Sequence, residues 1–215
     1  MAQPPAPRWQ EEGLSISFRS CALSTAGGLP QALAQAGSKP ADVGHLDLGE
    51  NELSSLAELK PFGRLLSLDV AHNSVESLGS GLLPPTLLHL NASYNRLESA
   101  AGVAALTGLI ELNLSYNLIT SCAPLETLTQ LQVVLLGGNR ISSLVGLVSL
   151  ARLELLDLRF NYVEKPSELR LLAMNASLRT LTLQGNPVAK QSNYRAAIAC
   201  ELPALLTLDA QAWLG

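Results

Sequence analysis

The sequence predicts an α/β solenoid, in which one short unit is stacked many times and successive strands lie side by side in a curved parallel sheet. An asparagine recurs every 22 residues from Asn51 to Asn161, and Asn186 follows after 25 residues. Each asparagine lies in one frame, which is clearest as LxxLxLxxNxI from Leu109 to Ile119. A fixed period of this size indicates units that pack only against their neighbours. The asparagines of the predicted ladder are Asn51, Asn73, Asn95, Asn117, Asn139, Asn161 and Asn186.

The frame has a physical cause. We number it from one to eleven, with apolar residues at positions one, four, six and eleven and asparagine at position nine. Alternation at positions four to six predicts a short strand whose apolar side chains point inward. The amide at position nine both donates and accepts, so it can satisfy backbone groups that the turn after the strand buries. The asparagines are therefore expected to hold the structure rather than to contact a partner.

The return segments between frames carry apolar side chains about three residues apart, as in Leu56, Leu59 and Phe62. This spacing predicts short 3₁₀ or irregular helical turns on the convex face. The segment after Val163 holds three extra residues and is expected to be more helical. Cys122 falls at an inward position of its segment, where it is expected to pack as a small apolar residue.

One domain is expected over residues 13–215, because no repeat has a core of its own, and residues 1–12 are expected to be a disordered tail. The domain divides into a degenerate first repeat (13–42), complete repeats (43–188) and a cap (189–215). Atypical end units are required because a stack would otherwise expose leucines at both ends. With the first unit and a final half-strand in the cap, the sequence predicts nine strands.

Both predicted end units have recognisable features. Cys21 takes the asparagine position of the first repeat, which also contains an inserted helix with Pro30 near its start and Gly37 at its end. In the cap, a helix with one apolar face is predicted to end at Pro203. Cys200 is expected to be a packing residue of that helix. The apolar cap residues are Tyr194, Ile198, Leu202, Leu205 and Leu208.

The 22-residue unit and this ending resemble the intracellular leucine-rich repeat proteins that finish in the so-called LRR cap. That group includes the leucine-rich regulatory subunit of protein phosphatase 1, the spliceosomal A-prime protein and the leucine-rich light chain of axonemal outer-arm dynein. The resemblance covers about residues 43–209 and implies a protein-binding scaffold without catalysis, whose partner does not carry over from one member to another. The matching cap residues are Asn186, Pro187, Tyr194, Arg195, Leu202, Pro203, Leu205, Leu208 and Asp209.

Composition narrows the possible partners and the location. Fourteen basic and 18 acidic residues give a formal charge of −4, and no basic run occurs, so direct binding to nucleic acid or to an anionic membrane surface is disfavoured. No 18-residue apolar stretch exists to span a membrane. The odd number of cysteines favours a reducing compartment. The expected location is the cytoplasm, with a cilium, an axoneme or another cytoskeletal assembly as one alternative and the nucleus as another.

No catalytic, cofactor or metal site is predicted. The sequence contains no GxSxG, HExxH, P-loop, CxxC or GxGxxG motif. His45 and His89 both take position three, two rungs apart and therefore roughly 9.6 Å from each other, which is too far to share a metal ion. With His72 they are expected to be polar side chains on a solvated sheet face. We expect no cofactor and no small-molecule substrate.

The candidate functional surface is the concave sheet face, onto which positions three, five, seven and eight project. Val133, Leu135 and Leu155 place aliphatic side chains where the frame otherwise has polar ones, as expected of an interaction hot spot. Gly137 and Gly138 are expected to leave a gap that a partner could enter. The remaining candidate residues are Phe160, Tyr94, Tyr116, Arg159 and Asp157, with the acidic group Asp47, Glu50, Asp69 and Glu111.

Each feature of this face has a second interpretation. Isolated apolar residues are common on surfaces, a terminal segment could fold over them, and the acidic group could serve solubility alone. The functional hypothesis is a partner element that is apolar at one end and basic at the other. Three roles remain open: an adaptor or small subunit of an intracellular assembly (by analogy axonemal or centriolar), a regulatory subunit of a phosphatase or another enzyme, and a ribonucleoprotein subunit that binds an RNA-binding protein.

Overall fold

A single open sheet forms the spine of the structure, a computed structural model that describes residues 13–212. Strands β1 to β9 run parallel in chain order, and a short β10 pairs antiparallel with β9. The strands are β1 (Leu14–Ser17), β2 (Val43–Asp47), β3 (Ser67–Asp69), β4 (His89–Asn91), β5 (Glu111–Asn113), β6 (Val133–Leu135), β7 (Leu155–Asp157), β8 (Thr180–Thr182), β9 (Thr207–Leu208) and β10 (Gln211–Ala212). The predicted solenoid and its nine parallel strands are confirmed.

The register of the sheet follows the sequence period. Leu68 pairs with Leu46 on one side and with Leu90 on the other, and the same column continues strand by strand to Leu208. Because side chains alternate along a strand, this register directs every position-four residue into the core and every position-three and position-five residue onto the opposite face. The core is one continuous, mostly aliphatic cluster, in which Phe62 is fully buried.

Short helical turns make up most of the return segments. The α-helices are α1 (Leu29–Gln35), α2 (Pro166–Leu171) and α3 (Tyr194–Glu201), and the 3₁₀ turns are Pro40–Asp42, Ala57–Leu59, Ala101–Val103, Ala123–Leu125, Leu172–Met174 and Val188–Lys190. These bounds confirm the inserted helix at Pro30, the longer helical return after Val163 and the cap helix. Every helix within residues 13–212 falls short of the length and apolar character that a membrane span requires.

The asparagines form a hydrogen-bond ladder along the end of the strands. Asn117 is typical: its Nδ2 donates to the carbonyls of Ala92 and Leu114, both at 3.0 Å, and its Oδ1 accepts from the Leu97 amide at 2.9 Å. Each such residue therefore ties its own turn to the rung before it. Cys21 copies part of this pattern, since its Sγ contacts the Arg19 carbonyl at 3.4 Å.

A second asparagine contact, which the sequence period does not reveal, lies in the return segments. Asn175 is buried, and its Nδ2 donates to the carbonyls of Leu147 and Leu150 at 2.8 and 3.0 Å. These bonds join two successive returns, as the ladder joins two successive turns. Asn175 falls outside the 22-residue frame, so only the three-dimensional structure shows this role.

The cap closes the last rung as expected, with one correction. Tyr194, Ile198 and Leu202 are buried, and the Tyr194 hydroxyl donates to Asp209 at 3.1 Å. Burial, with the adjacent Asp209 carboxylate, raises the pKa of Tyr194 above its usual range. The expectation that Cys200 packs inward is wrong, because its position on α3 faces solvent. The predictions for residues 1–12 and 213–215 lie outside the described part of the chain.

Candidate functional site

Three aliphatic side chains meet on the concave face, in the middle of the sheet. Val133 pairs in register with Leu155 on the next strand, and Leu135 follows Val133 by two residues on the same face of β6. All three are half-buried, and the intervening Val134 is fully buried in the core. We call these three residues the apolar patch. Its position comes from the sheet register alone, because a shift of one residue would turn it into the core.

A shallow depression of about 280 Å³ lies beside the apolar patch. Val133 and Leu135 line one side of it, and polar side chains of β3 to β5 line the other. The polar lining is made of Ser67, Asp69, His89, Asn91, Glu111 and Asn113. The sheet therefore presents an apolar contact surface directly next to a polar, acidic contact surface.

The acidic end of the face is already occupied by a side chain of the first repeat. Arg19 reaches across two strands and forms ion pairs with Asp47 (3.1 Å), Glu50 (2.8 Å) and Asp69 (3.1 Å). Gly49 makes room for it, because a Cβ there would lie 2.8 Å from the guanidinium carbon. Three carboxylates and one guanidinium still carry a formal charge of −2 (−3 + 1). The acidic character predicted from the sequence is thus reduced but not removed.

The environment of Glu50 and Glu111 favours their charged forms. A hydrogen bond from Ser20, with a second contribution from Arg19, lowers the pKa of Glu50. In the lining of the depression, His89 Nδ1 lies 3.2 Å from Glu111 Oε2, and this contact lowers the pKa of Glu111. Glu111 therefore stays ionised beside the apolar patch at neutral pH.

Asp157 and Arg159 form a local pair rather than two independent contact residues. Arg159 Nε lies 2.6 Å from Asp157 Oδ2, and the Asp157 side chain is largely buried. The stem of Arg159 lies over Gly137, where a Cβ would come within 2.9 Å of Arg159 Cγ. The space above Gly137 is therefore filled by the protein itself.

An aromatic column lies along the strand ends, at position eight. His72 stacks on Tyr94 with ring centroids 4.2 Å apart, and Tyr94 stacks on Tyr116 at 4.3 Å. The ring of Tyr116 then covers Gly138, where a Cβ would lie 2.6 Å from Tyr116 Cδ1. The gap expected at Gly137 and Gly138 is therefore wrong: two neighbouring side chains of the same chain fill it.

Gly138→Ala is expected to push Tyr116 out of this stack and to cost about 1–2 kcal/mol of stability. Gly138 has a φ of +67°, a left-handed conformation that costs an L residue energy of this order. The new methyl group would also overlap the Tyr116 ring. The near-ultraviolet circular dichroism of tyrosine and a urea melt measure the two effects. An unchanged tyrosine spectrum would show that Tyr116 does not rest on Gly138.

The structure changes the expectation for two of the three histidines. His45 and His89 are only 9% and 7% exposed, so they are not polar side chains on a solvated face, as the sequence suggested. Within residues 13–212, no group of three or more His, Cys, Asp or Glu side chains is arranged to hold a metal ion. Cys122 is buried as predicted, and burial raises its pKa to about 12.

Sequence reasoning missed the column at position ten, which lies next to the aromatic column. Tyr162 is 59% exposed, and Arg96 and Arg140 are also exposed. Position ten lies beside positions three, five, seven and eight, to which the predicted concave face was restricted. Reading position ten down the repeats would have shown two arginines and a tyrosine on the same edge.

Comparison with known proteins agrees with this architecture. No protein-family model matches the chain. Over 54 residues the chain is 39% identical to leucine-rich repeat-containing protein 51 of Rattus norvegicus and of Mus musculus. The match covers 25% of this chain and 28% of those relatives, so the chain spans little more than a quarter of their length.

Solved structures extend the likeness to most of the chain. An internalin (inlF) of Listeria monocytogenes matches with a TM-score of 0.72 and 25% identity, over 86% of this chain and 51% of the other. Internalin C2 (inlC2) of the same organism matches with a TM-score of 0.74 and 23% identity, over 90% and 79%. Fold, ladder and register define a repeat solenoid that presents a broad, open surface. Together with the matches, they show that the chain is a leucine-rich repeat protein.

Proposed function

We propose that this leucine-rich repeat protein is a non-enzymatic scaffold that holds a protein partner on its concave face. The adjacency of Val133, Leu135 and Leu155 carries the proposal, because it places three aliphatic side chains together where most neighbouring positions are polar. Partly exposed apolar residues that cluster at the centre of a rigid surface are typical of binding hot spots. We infer that the protein works in a reducing compartment, because its three cysteines are unpaired.

The charge around the patch specifies the partner further. Glu111 adjoins Val133 in register, and the Arg19 cluster beyond it keeps a net negative charge. A partner segment with apolar side chains followed by a basic one would match this order along the sheet. The charged contacts are expected to contribute more to orientation and association rate than to affinity.

The double substitution Leu135→Asp with Leu155→Asp is expected to abolish partner binding without unfolding the protein. Both side chains lie on the sheet face opposite the core, so new carboxylates there stay hydrated while the apolar patch is lost. Affinity purification with quantitative mass spectrometry from the native cell measures recovery of the partners. Val145→Asp is the matched control, because Val145 is a 58% exposed aliphatic residue in a return segment.

We expect proteins recovered by the wild type and by Val145→Asp to be missing from the double variant, at least tenfold depleted. The double variant should keep a circular dichroism melt close to that of the wild type. Equal recovery by all three proteins would rule out the apolar patch as the binding site.

A further inference from the structure

A second surface, distinct from the apolar patch, runs along the edge where the strands end. Backbone hydrogen bonds hold it in two regular columns. At position eight, the Tyr116 amide donates to the carbonyl of Gly137 on the next rung at 2.7 Å; at position ten, the Arg140 amide donates to the carbonyl of Ile119 on the previous rung at 2.8 Å. We call this edge the strand-end rim, and its exposed members are Tyr94, Arg96, Tyr116, Arg140, Phe160 and Tyr162, with the half-buried Leu118 between the arginines.

Large aromatic side chains are exposed on the rim, although the backbone conformation at position eight favours glycine. Tyr94, Tyr116, Phe160 and Tyr162 are 44%, 41%, 53% and 59% exposed. The first three also have φ values of 53° to 55°, the left-handed region that glycine occupies most easily. Glycine does take this position at Gly138. Placing an L residue there costs about 1–2 kcal/mol. Stacking between two rings contributes about 0.5–1.5 kcal/mol, which offsets this cost but gives no net gain in stability.

Arg96 and Arg140 differ from the arginines of the concave face. Arg19 and Arg159 each form ion pairs, whereas among the described residues neither Arg96 nor Arg140 has an ion-pair partner. One rung separates Arg96 from Leu118, and one more separates Leu118 from Arg140, so the backbones of the two arginines lie about 9.6 Å apart. Tyrosine and arginine are the residues most enriched at the energetic centres of interfaces.

The orientation of the rings indicates which kind of ligand fits. The two faces of Tyr94 are covered by His72 and Tyr116, so the edge of the ring remains for a partner. Ring edges are electropositive, which suits carboxylates and carbonyls. Nucleobases need free ring faces for stacking, and the Tyr94 ring offers none. The rim therefore favours an acidic peptide over a nucleic acid.

We propose that the strand-end rim binds an extended acidic segment of a partner protein, with two carboxylates three residues apart on Arg96 and Arg140 and an apolar side chain between them on Leu118 and Tyr116. In the extended polyproline II conformation, which has three residues per turn and a rise of about 3.1 Å per residue, residues three apart face the same side and lie about 9.3 Å from each other, which matches two rungs of the sheet. A guanidinium binds a carboxylate through two parallel hydrogen bonds. This segment differs in charge from the basic one that the concave face fits, so the two surfaces select different sequences.

Selection from a display library of random dodecapeptides tests the proposal. The wild type serves as bait, and Arg96→Glu with Arg140→Glu is the variant that reverses the charge of the rim. Arg152→Glu is the matched control, because Arg152 is an exposed arginine in a return segment. We expect the wild type and the control to enrich peptides with two acidic residues three positions apart and an apolar residue between them. The double variant should not enrich them.

A synthetic peptide of the enriched consensus is then titrated by fluorescence anisotropy. We expect the rim double variant to weaken binding at least tenfold, and Leu135→Asp with Leu155→Asp to leave it unchanged. This last variant separates the rim from the concave face, so either proposal can fail without the other. Enrichment of neutral or basic peptides, no enrichment over the rim variant, or binding that survives the charge reversal would overturn the proposal. Binding of a twelve-nucleotide oligouridylate that the rim variant abolishes would instead assign the rim to nucleic acid.

Discussion

Gly146→Ala is expected to destabilise the protein by about 3 kcal/mol or more, the largest effect of any substitution considered. A Cβ at Gly146 would lie 2.2 Å from the Cys122 carbonyl oxygen and 2.7 Å from Ala123 Cα. Both are backbone atoms of the preceding return segment and cannot move aside as a side chain can. The φ of Gly146 is +93°, which L residues rarely adopt. The two returns would have to separate, and the aliphatic core between them would open.

Urea denaturation followed by far-ultraviolet circular dichroism measures this effect. Gly63→Ala is the matched control, because a Cβ at Gly63 meets nothing within 4 Å and its φ is not in the left-handed region. We expect the control to change the unfolding free energy by no more than about 0.5 kcal/mol. Equal midpoints for the two variants would show that adjacent returns are not packed as closely as the structure has them.

Asn117→Ala is expected to cost on the order of 1–3 kcal/mol of stability, because it leaves a buried backbone group unpaired. Its amide is only 5% exposed and bonds to the carbonyls of Ala92 and Leu114 and to the amide of Leu97. The buried Leu97 amide would lose its acceptor, whereas the carbonyls of Ala92 and Leu114 still accept from Asn95 and Asn139. Partner binding should be lost only in proportion to unfolding, because Asn117 points away from the concave surface.

Asn193→Ala provides the comparison for Asn117. Asn193 is exposed at the start of α3, and its side chain makes no capping hydrogen bond. Thermal melts of the two variants should differ by several degrees, with Asn193→Ala close to the wild type. A ladder variant as stable as the wild type would mean that the asparagines do not hold the turns.

The period of the sequence predicted the backbone well because, in a solenoid, residues 22 apart become neighbours. The column from Leu46 through Leu68 to Leu90 can be read directly from the spacing, and so can the adjacency of Val133 and Leu155. Local chemistry accounts for other successes, such as Pro30 near the start of α1. These features depend on backbone geometry that each repeat shares.

Long side chains and irregular ends could not be predicted in the same way. Arg19 belongs to a degenerate repeat, and its reach across two strands depends on rotamers that no period fixes. The fillings above Gly137 and Gly138 come from Arg159 and Tyr116, whose directions follow from packing in three dimensions. These side chains decide which parts of the concave face a partner can touch.

The most direct test measures thermal stability and partner recovery side by side, for Asn117→Ala and for Leu135→Asp with Leu155→Asp. The asparagines hold the solenoid together, whereas the apolar patch contacts the partner. We therefore predict that the asparagine variant melts at lower temperature yet still recovers partners below its melting range, whereas the patch variant melts as the wild type does and recovers none. Loss of both properties together in the patch variant, or of binding alone in the asparagine variant, would contradict it.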